Sequence, residues 1–239
     1  MTTHNWPPIL PSRTLQTIDD VTALDRRFVL TTAEVALAGG AVTLTKPRSA
    51  DDLLSEADFE RDERLPYWAD IWPSSTALAS VVAALDGHGK DCIELGCGLG
   101  LVTIGAMRAG YQVLATDYYD DALLFARRNA RTATGHEPAT RMVDWRAFPT
   151  DLGRFDLVLA SDVLYERQYA DLVAQAIVAS LKPGGVALVA DPGRIALLAF
   201  ISACEDRGCT TAIRVRVPWE EGTVQQTITI HEIRVAGDA

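Results

Sequence analysis

From Asp91 onward, short apolar runs alternate with longer stretches in which apolar positions recur every three to four residues. Cys92–Leu95, Gln112–Ala115, Arg141–Val143, Asp156–Ala160 and Val186–Ala190 have the length and apolar content of strands. Between them, Leu101–Arg108, Asp121–Thr132, Tyr169–Ser180 and Ile195–Asp206 read as helices. Asp191-Pro192 is expected to open the last of these, as N-cap and first helical position. Short apolar strands separated by helices predict a parallel sheet covered on both faces. The C-terminal pattern differs. Thr211–Val217 and Val224–Val235 alternate with period two around Pro218–Gly222, which predicts an antiparallel terminal hairpin.

Upstream, Val35-Ala36-Leu37 and Val42-Thr43-Leu44 flank Gly39-Gly40, a pair that tolerates the positive φ of a tight β-hairpin. Residues 1–20 read as a lead-in with little order, and residues 49–65 as a charged linker or surface helix. The aromatic segment Pro66-Tyr67-Trp68-Ala69-Asp70-Ile71-Trp72-Pro73 follows, and Ser74 or Ser75 is expected to cap a helix running to about Leu85. The expected division is an N-terminal extension over 1–65 and an α/β domain over 66–239.

With 239 residues, 48% of them hydrophobic, the chain can bury one sizeable core without disulfides or metal. The net charge of −10 argues against a nucleic-acid partner, because phosphate binding needs a basic face. It is compatible with a small molecule, with a basic protein segment, or with solubility alone. Cys92, Cys97, Cys204 and Cys209 form no CxxC pair and read as reduced thiols of the cytoplasm. The first ten residues lack the apolar core of a secretory signal, and no run of about 18 apolar residues suggests a membrane span. The four histidines are scattered, so no metal site is expected.

Glu94-Leu95-Gly96-Cys97-Gly98-Leu99-Gly100 lies between a strand and a helix, where glycines let backbone turn sharply and approach a ligand. Leu101 stands where the dinucleotide fingerprint would continue, which disfavours a nicotinamide site. Asp117, ending the next strand, can accept hydrogen bonds from both hydroxyls of a ribose. Asp144-Trp145, after the third strand, offers a carboxylate for an adenine amino group and an indole wall for its ring. Asp144 could instead cap a helix. Leu181-Lys182-Pro183-Gly184-Gly185 reads as a helix stop and carries no chemistry.

In this order the motifs resemble class I S-adenosylmethionine-dependent methyltransferases, over about residues 66–235. The resemblance implies a Rossmann-like, seven-stranded, mostly parallel sheet with helices on both faces and a closing antiparallel hairpin. It also implies S-adenosylmethionine as cofactor and S-adenosylhomocysteine as product. The segments Tyr67–Pro73 and Ser161-Asp162-Val163-Leu164-Tyr165 look like the family-16 protein-lysine methyltransferases, whose signature after the fourth strand is DxxY or DxxF. Within that family they look nearest to the electron-transfer-flavoprotein β-subunit lysine methyltransferases. The likeness places the cofactor against Trp72, Glu94, Gly96, Cys97, Gly98, Asp117, Tyr118, Asp144, Trp145 and Ser161. Asp162 and Tyr165 would be the catalytic pair.

Asp162 could hold and orient an acceptor ammonium, although a carboxylate by itself favours the charged form. It could otherwise cap a helix near Glu166, and Tyr165 could simply pack. Trp68 and Trp72 could staple the N-terminal part to the sheet, or Trp72 could line the cofactor pocket. Absence of a Pro-Pro pair after Asp162 sets the chain apart from nucleic-acid amino-methyltransferases. The leading expectation is N-methylation of a protein lysine. A metabolite methyltransferase, a non-catalytic cofactor-binding module and an oxidoreductase are the alternatives. The acceptor, the number of methyl groups added and the oligomeric state do not follow from the sequence.

Overall fold

The computed structural model describes residues 24–49, 53 and 66–235. The lead-in at 1–20 and most of the charged stretch 49–65 lie outside the described residues. Strands β1 (Leu30–Val35) and β2 (Val42–Pro47) pair antiparallel, with Val35 opposite Val42. The hairpin predicted around Gly39-Gly40 is present. Its first strand lies ahead of the run read as strand, because Ala36 and Leu37 already belong to the connection.

Helix α1 (Pro73–Ala83) precedes β3 (Asp91–Leu95), α2 (Leu101–Arg108) and β4 (Gln112–Asp117). Then come α3 (Asp120–Thr134), β5 (Ala139–Met142) and β6 (Phe155–Ser161). The chain continues through α4 (Tyr169–Ser180), β7 (Leu181–Asp191), α5 (Leu197–Glu205), β8 (Cys209–Glu221) and β9 (Val224–Val235). The large sheet has the order β5-β4-β3-β6-β7-β9-β8. Its first five strands are parallel, and β9 runs antiparallel to both β7 and β8. The order reverses direction between β3 and β6, which opens a crevice beyond their carboxyl ends.

Both faces of the sheet are covered. Ile93, Leu95, Val158 and Val189 pack with α4 residues Val173 and Ile177, while Cys92, Leu157 and Leu188 pack with Leu78 and Ile104. The N-terminal hairpin is fastened to this body through Asn129 of α3. Its carboxamide accepts from the Thr45 N–H at 2.8 Å and donates to the carbonyls of Thr45 and Leu99.

Three local expectations are corrected. Neither Ser74 nor Ser75 caps α1: Pro73 is its first residue and Trp72 stands at the N-cap without a side-chain bond. Ser75 Oγ instead donates to the Trp72 carbonyl at 2.7 Å. The last helix begins at Leu197 rather than at Ile195, because Asp191 ends β7 and its Oδ1 accepts from the backbone of Gly193 and Arg194 in a tight turn. Pro218–Glu221 belong to β8, so the terminal hairpin turns at Gly222-Thr223 rather than across five residues.

Candidate active site

A cavity of about 1000 Å³, counting the open space at its mouth, lies at the sheet's carboxyl edge above the switch point. Its floor is the glycine loop. Gly96 N–H and Cys97 N–H both donate to the Thr116 carbonyl at 2.9 Å, tying the loop to β4. Gly98 has φ +49, and a Cβ there would lie 3.1 Å from the Trp68 carbonyl oxygen. Gly100 has φ +83, and its Cβ would stand 2.7 Å from the Ala126 Cα, so only glycine lets α2 and α3 approach this closely.

Asp117 lines the cavity and is 6% exposed. Its Oδ2 accepts from Gly98 N–H at 2.9 Å and its Oδ1 from Tyr119 N–H at 3.0 Å. Burial pushes this carboxyl above the usual range, against the pull of those backbone donors. Tyr118 N–H adds a third backbone donor, and a carboxylate with about four acceptor sites keeps capacity for a ligand hydroxyl. Val143 and Trp145 form an apolar wall on the same side. Asp144 caps the short turn Trp145–Ala147 by accepting from Arg146 N–H at 3.0 Å, and it grips the Arg146 guanidinium through both oxygens. That guanidinium lies 5.5 Å from the Tyr118 ring centre.

At the other end of the cavity stand Ser161, Asp162 and Tyr165, at the end of β6. Asp162 has φ +57, the only positive φ of a non-glycine among the described residues. The left-handed region costs an L residue on the order of 1 kcal/mol, least for Asp and Asn. Asp162 caps no helix: α4 begins seven residues later, with Gln168 at its N-cap. Its Oδ1 accepts from Arg194 Nε at 2.7 Å. Tyr165 packs edge-on between Tyr67 and Tyr169, at ring separations of 5.2 and 5.1 Å, and Tyr169 leads on to Trp145 at 5.6 Å.

The two tryptophans part company. Both line the cavity, but Trp68 also packs 5.5 Å from Phe125 and stands over the glycine loop, which makes it the staple. Trp72 lines the cavity mouth, with Nε1 donating to the Tyr67 carbonyl and its ring 5.4 Å from the Arg194 guanidinium carbon.

Every residue singled out from sequence is on the cavity wall except Glu94. Glu94 is 1% exposed beneath the loop, where its Oε2 accepts from Thr103 Oγ1 at 2.5 Å, and burial pushes its carboxyl up to about 8. It braces β3 against α2 from behind the cavity wall. Sequence reading also missed Tyr67, Tyr119 and Arg146 on the wall, and Arg194 just behind it. The signal for Arg194 was topological: it follows the carboxyl end of a parallel strand, as the other site residues do. Among the described residues no cluster of three or more metal-ligating side chains occurs, and no helix is long and apolar enough to cross a membrane.

This strand order, with a glycine loop after β3 and an acidic end to β4, defines the class I methyltransferase fold. Residues 93–187 match the family model described as a methyltransferase domain. The chain is similar to the mouse protein-lysine methyltransferase METTL21E, with 32% identity over 120 residues covering 44% of this chain and 48% of that one. It is also similar to the electron transfer flavoprotein beta subunit lysine methyltransferase of Xenopus laevis, with 28% identity over 137 residues, 54% of this chain and 53% of the relative. The chain thus spans about half the length of the curated relatives it matches. Among solved structures, the N-methyltransferase NodS from Bradyrhizobium japonicum, in complex with S-adenosyl-L-homocysteine, has a TM-score of 0.55 at 18% identity, covering 74% of this chain and 96% of that one. The ribosomal protein L11 methylase of Lactobacillus delbrueckii subsp. bulgaricus has a TM-score of 0.54 at 22% identity, over 70% and 81%. These two likenesses concern the fold.

Proposed function

We propose that the chain is an S-adenosylmethionine-dependent methyltransferase that N-methylates a lysine side chain of a protein. The observation that carries this reading is one cavity with two chemically distinct ends: Asp117 with the Val143–Trp145 wall, and Asp162 with Tyr165 and Trp72. The residues fit the cofactor. Asp117 retains acceptor capacity for a ribose hydroxyl, Val143 and Trp145 suit an adenine ring, and Gly96 brings backbone without a side chain to the wall. Bound there, S-adenosylmethionine supplies an electrophilic methyl group on a sulfonium.

The chain's own residues then have to present a neutral amine in line and keep water out. Asp162 orients the nitrogen, while Tyr67, Trp72 and Tyr165 surround the approach with aromatic faces that suit a cationic amine before it loses its proton. The names of the relatives support a protein lysine as acceptor. Four free, buried cysteines support a cytoplasmic setting.

The test is radiolabelled methyl transfer from S-adenosylmethionine into a lysate of the source organism and into its purified electron transfer flavoprotein β subunit, with Asp162→Ala as control. A discrete protein band stable to mild base and lost in the variant is expected. Label confined to the small-molecule fraction would refute the protein-lysine reading.

A further inference from the structure

An amine acceptor beside Asp162 poses a charge problem. A bare carboxylate stabilises the ammonium, which is not a nucleophile, and so works against the reaction it orients. The structure places a guanidinium on that carboxylate. Asp191, fully buried at the end of β7, accepts from Gly193 N–H at 2.6 Å and from Arg194 N–H at 2.7 Å. This turn sends the Arg194 side chain to Asp162 Oδ1 at 2.7 Å and against the Trp72 ring. Asp162 is on the cavity wall and Arg194 is not, so the guanidinium backs the carboxylate from outside the acceptor space. Asp162 Oδ2 has no hydrogen-bond partner among the described residues and is left for the acceptor.

Resting on the lysine reading above, we propose that Arg194 is a positioning residue. It fixes Asp162 through one oxygen and cancels its charge, so that the acceptor nitrogen is oriented without being held as an ammonium. Asp191 faces the same pair from behind: burial and the nearby Asp162 charge raise its carboxyl, and its Oδ1 is committed to the two backbone donors of the turn. The other side chains at this end, Tyr67, Tyr165 and Trp72, bring phenols and an indole. With Arg194 in place the amine can pass its proton to solvent water at the cavity mouth as it is desolvated. Without it, Asp162 becomes a trap for the cation.

The experiment is calorimetric titration of n-butylammonium, which carries the terminal carbons of lysine, into the full chain saturated with S-adenosylhomocysteine at pH 7. Arg194→Gln removes the charge but keeps a donor, Arg194→Met keeps the stem over Trp72, and Arg194→Lys keeps the charge. The Gln and Met variants are expected to bind the probe about tenfold more tightly than wild type, the size of a unit-charge repulsion across ~7 Å in a half-exposed site. The Lys variant should bind like wild type, and all should bind S-adenosylhomocysteine equally. Equal or weaker probe binding by both uncharged variants, with unchanged S-adenosylhomocysteine affinity, would overturn the role given to Arg194. Absence of probe binding by wild type and every variant would instead overturn the amine reading of the site, and this inference with it.

Discussion

Replacing Glu94 with glutamine tests whether the carboxyl beneath the glycine loop is held protonated by the fold. The side chain is 1% exposed, accepts from Thr103 Oγ1, and titrates at about 8 in the folded chain against an ordinary 4.5. Its causes are burial first, which raises the value, with the Thr103 bonds opposing and the nearby Asp117 charge adding to the rise. A carboxyl whose folded pKa is raised binds its proton more tightly in the native state than in the unfolded chain. Stability from this group is therefore complete below pH 4.5, falls as pH rises towards 8, and is flat above. Linkage with these two values gives a loss of about 2–3 kcal/mol between pH 5 and pH 7, and about 1 kcal/mol more by pH 8. Glutamine is the neutral isostere and still accepts from Thr103. Urea unfolding of wild type and Glu94→Gln at pH 5, 6, 7 and 8 measures the difference directly. The variant should gain on wild type steadily across that range. A stability difference independent of pH would show that Glu94 is ionised in the fold and refute the reasoning.

Two further substitutions divide structure from ligand contact. Trp68→Ala removes the ring packed on Phe125 and should lower unfolding free energy by about 2–4 kcal/mol. Trp72→Ala should change melting by less and weaken n-butylammonium binding to the S-adenosylhomocysteine-saturated chain about tenfold, read by calorimetry; equal melting losses with unchanged probe affinity in both would refute the division. Asn129→Ala leaves the Thr45 N–H and two carbonyls without their partner, at a cost of about 2–4 kcal/mol. Limited proteolysis should then cut the N-terminal hairpin first, and cleavage at the wild-type rate would contradict its docking through Asn129.

The alternation of strands and helices and most of the cavity wall were legible because their signals are local. A glycine loop, an aspartate ending a strand and an aromatic residue after the next each occupy a few consecutive residues, and the parallel sheet gathers those strand ends along one edge. Glu94 shows how far local reading reaches. In a strand buried on both faces, polarity marks a special position without saying which way the side chain points, and Thr103 of α2 takes it. Trp68 and Trp72 are four residues apart, yet Trp68 lies in the short turn Tyr67–Ala69 while Trp72 has the extended backbone of an N-cap. Their rings accordingly face different partners. Arg194 carried only a topological signal, because its meeting with Asp162 spans 32 residues and depends on the Asp191 turn.

On the proposed function, these placements also separate two roles along the sheet. The loops after β3, β4 and β5 supply Gly96, Gly98, Asp117 and Trp145, and their side chains and backbone hold one another before any ligand enters, as Gly98 N–H does on Asp117. The loops after β6 and β7 supply Asp162, Tyr165 and Arg194, where the backbone is strained at φ +57 and Arg194 remains partly exposed. A preformed cofactor end conserves binding energy for the shared ligand, and a separately built acceptor end can be changed without disturbing it. Substitutions in the Asp191–Arg194 turn should therefore alter acceptor preference while leaving S-adenosylhomocysteine affinity intact, whereas substitutions of Asp117 should weaken binding of that ligand whatever the acceptor.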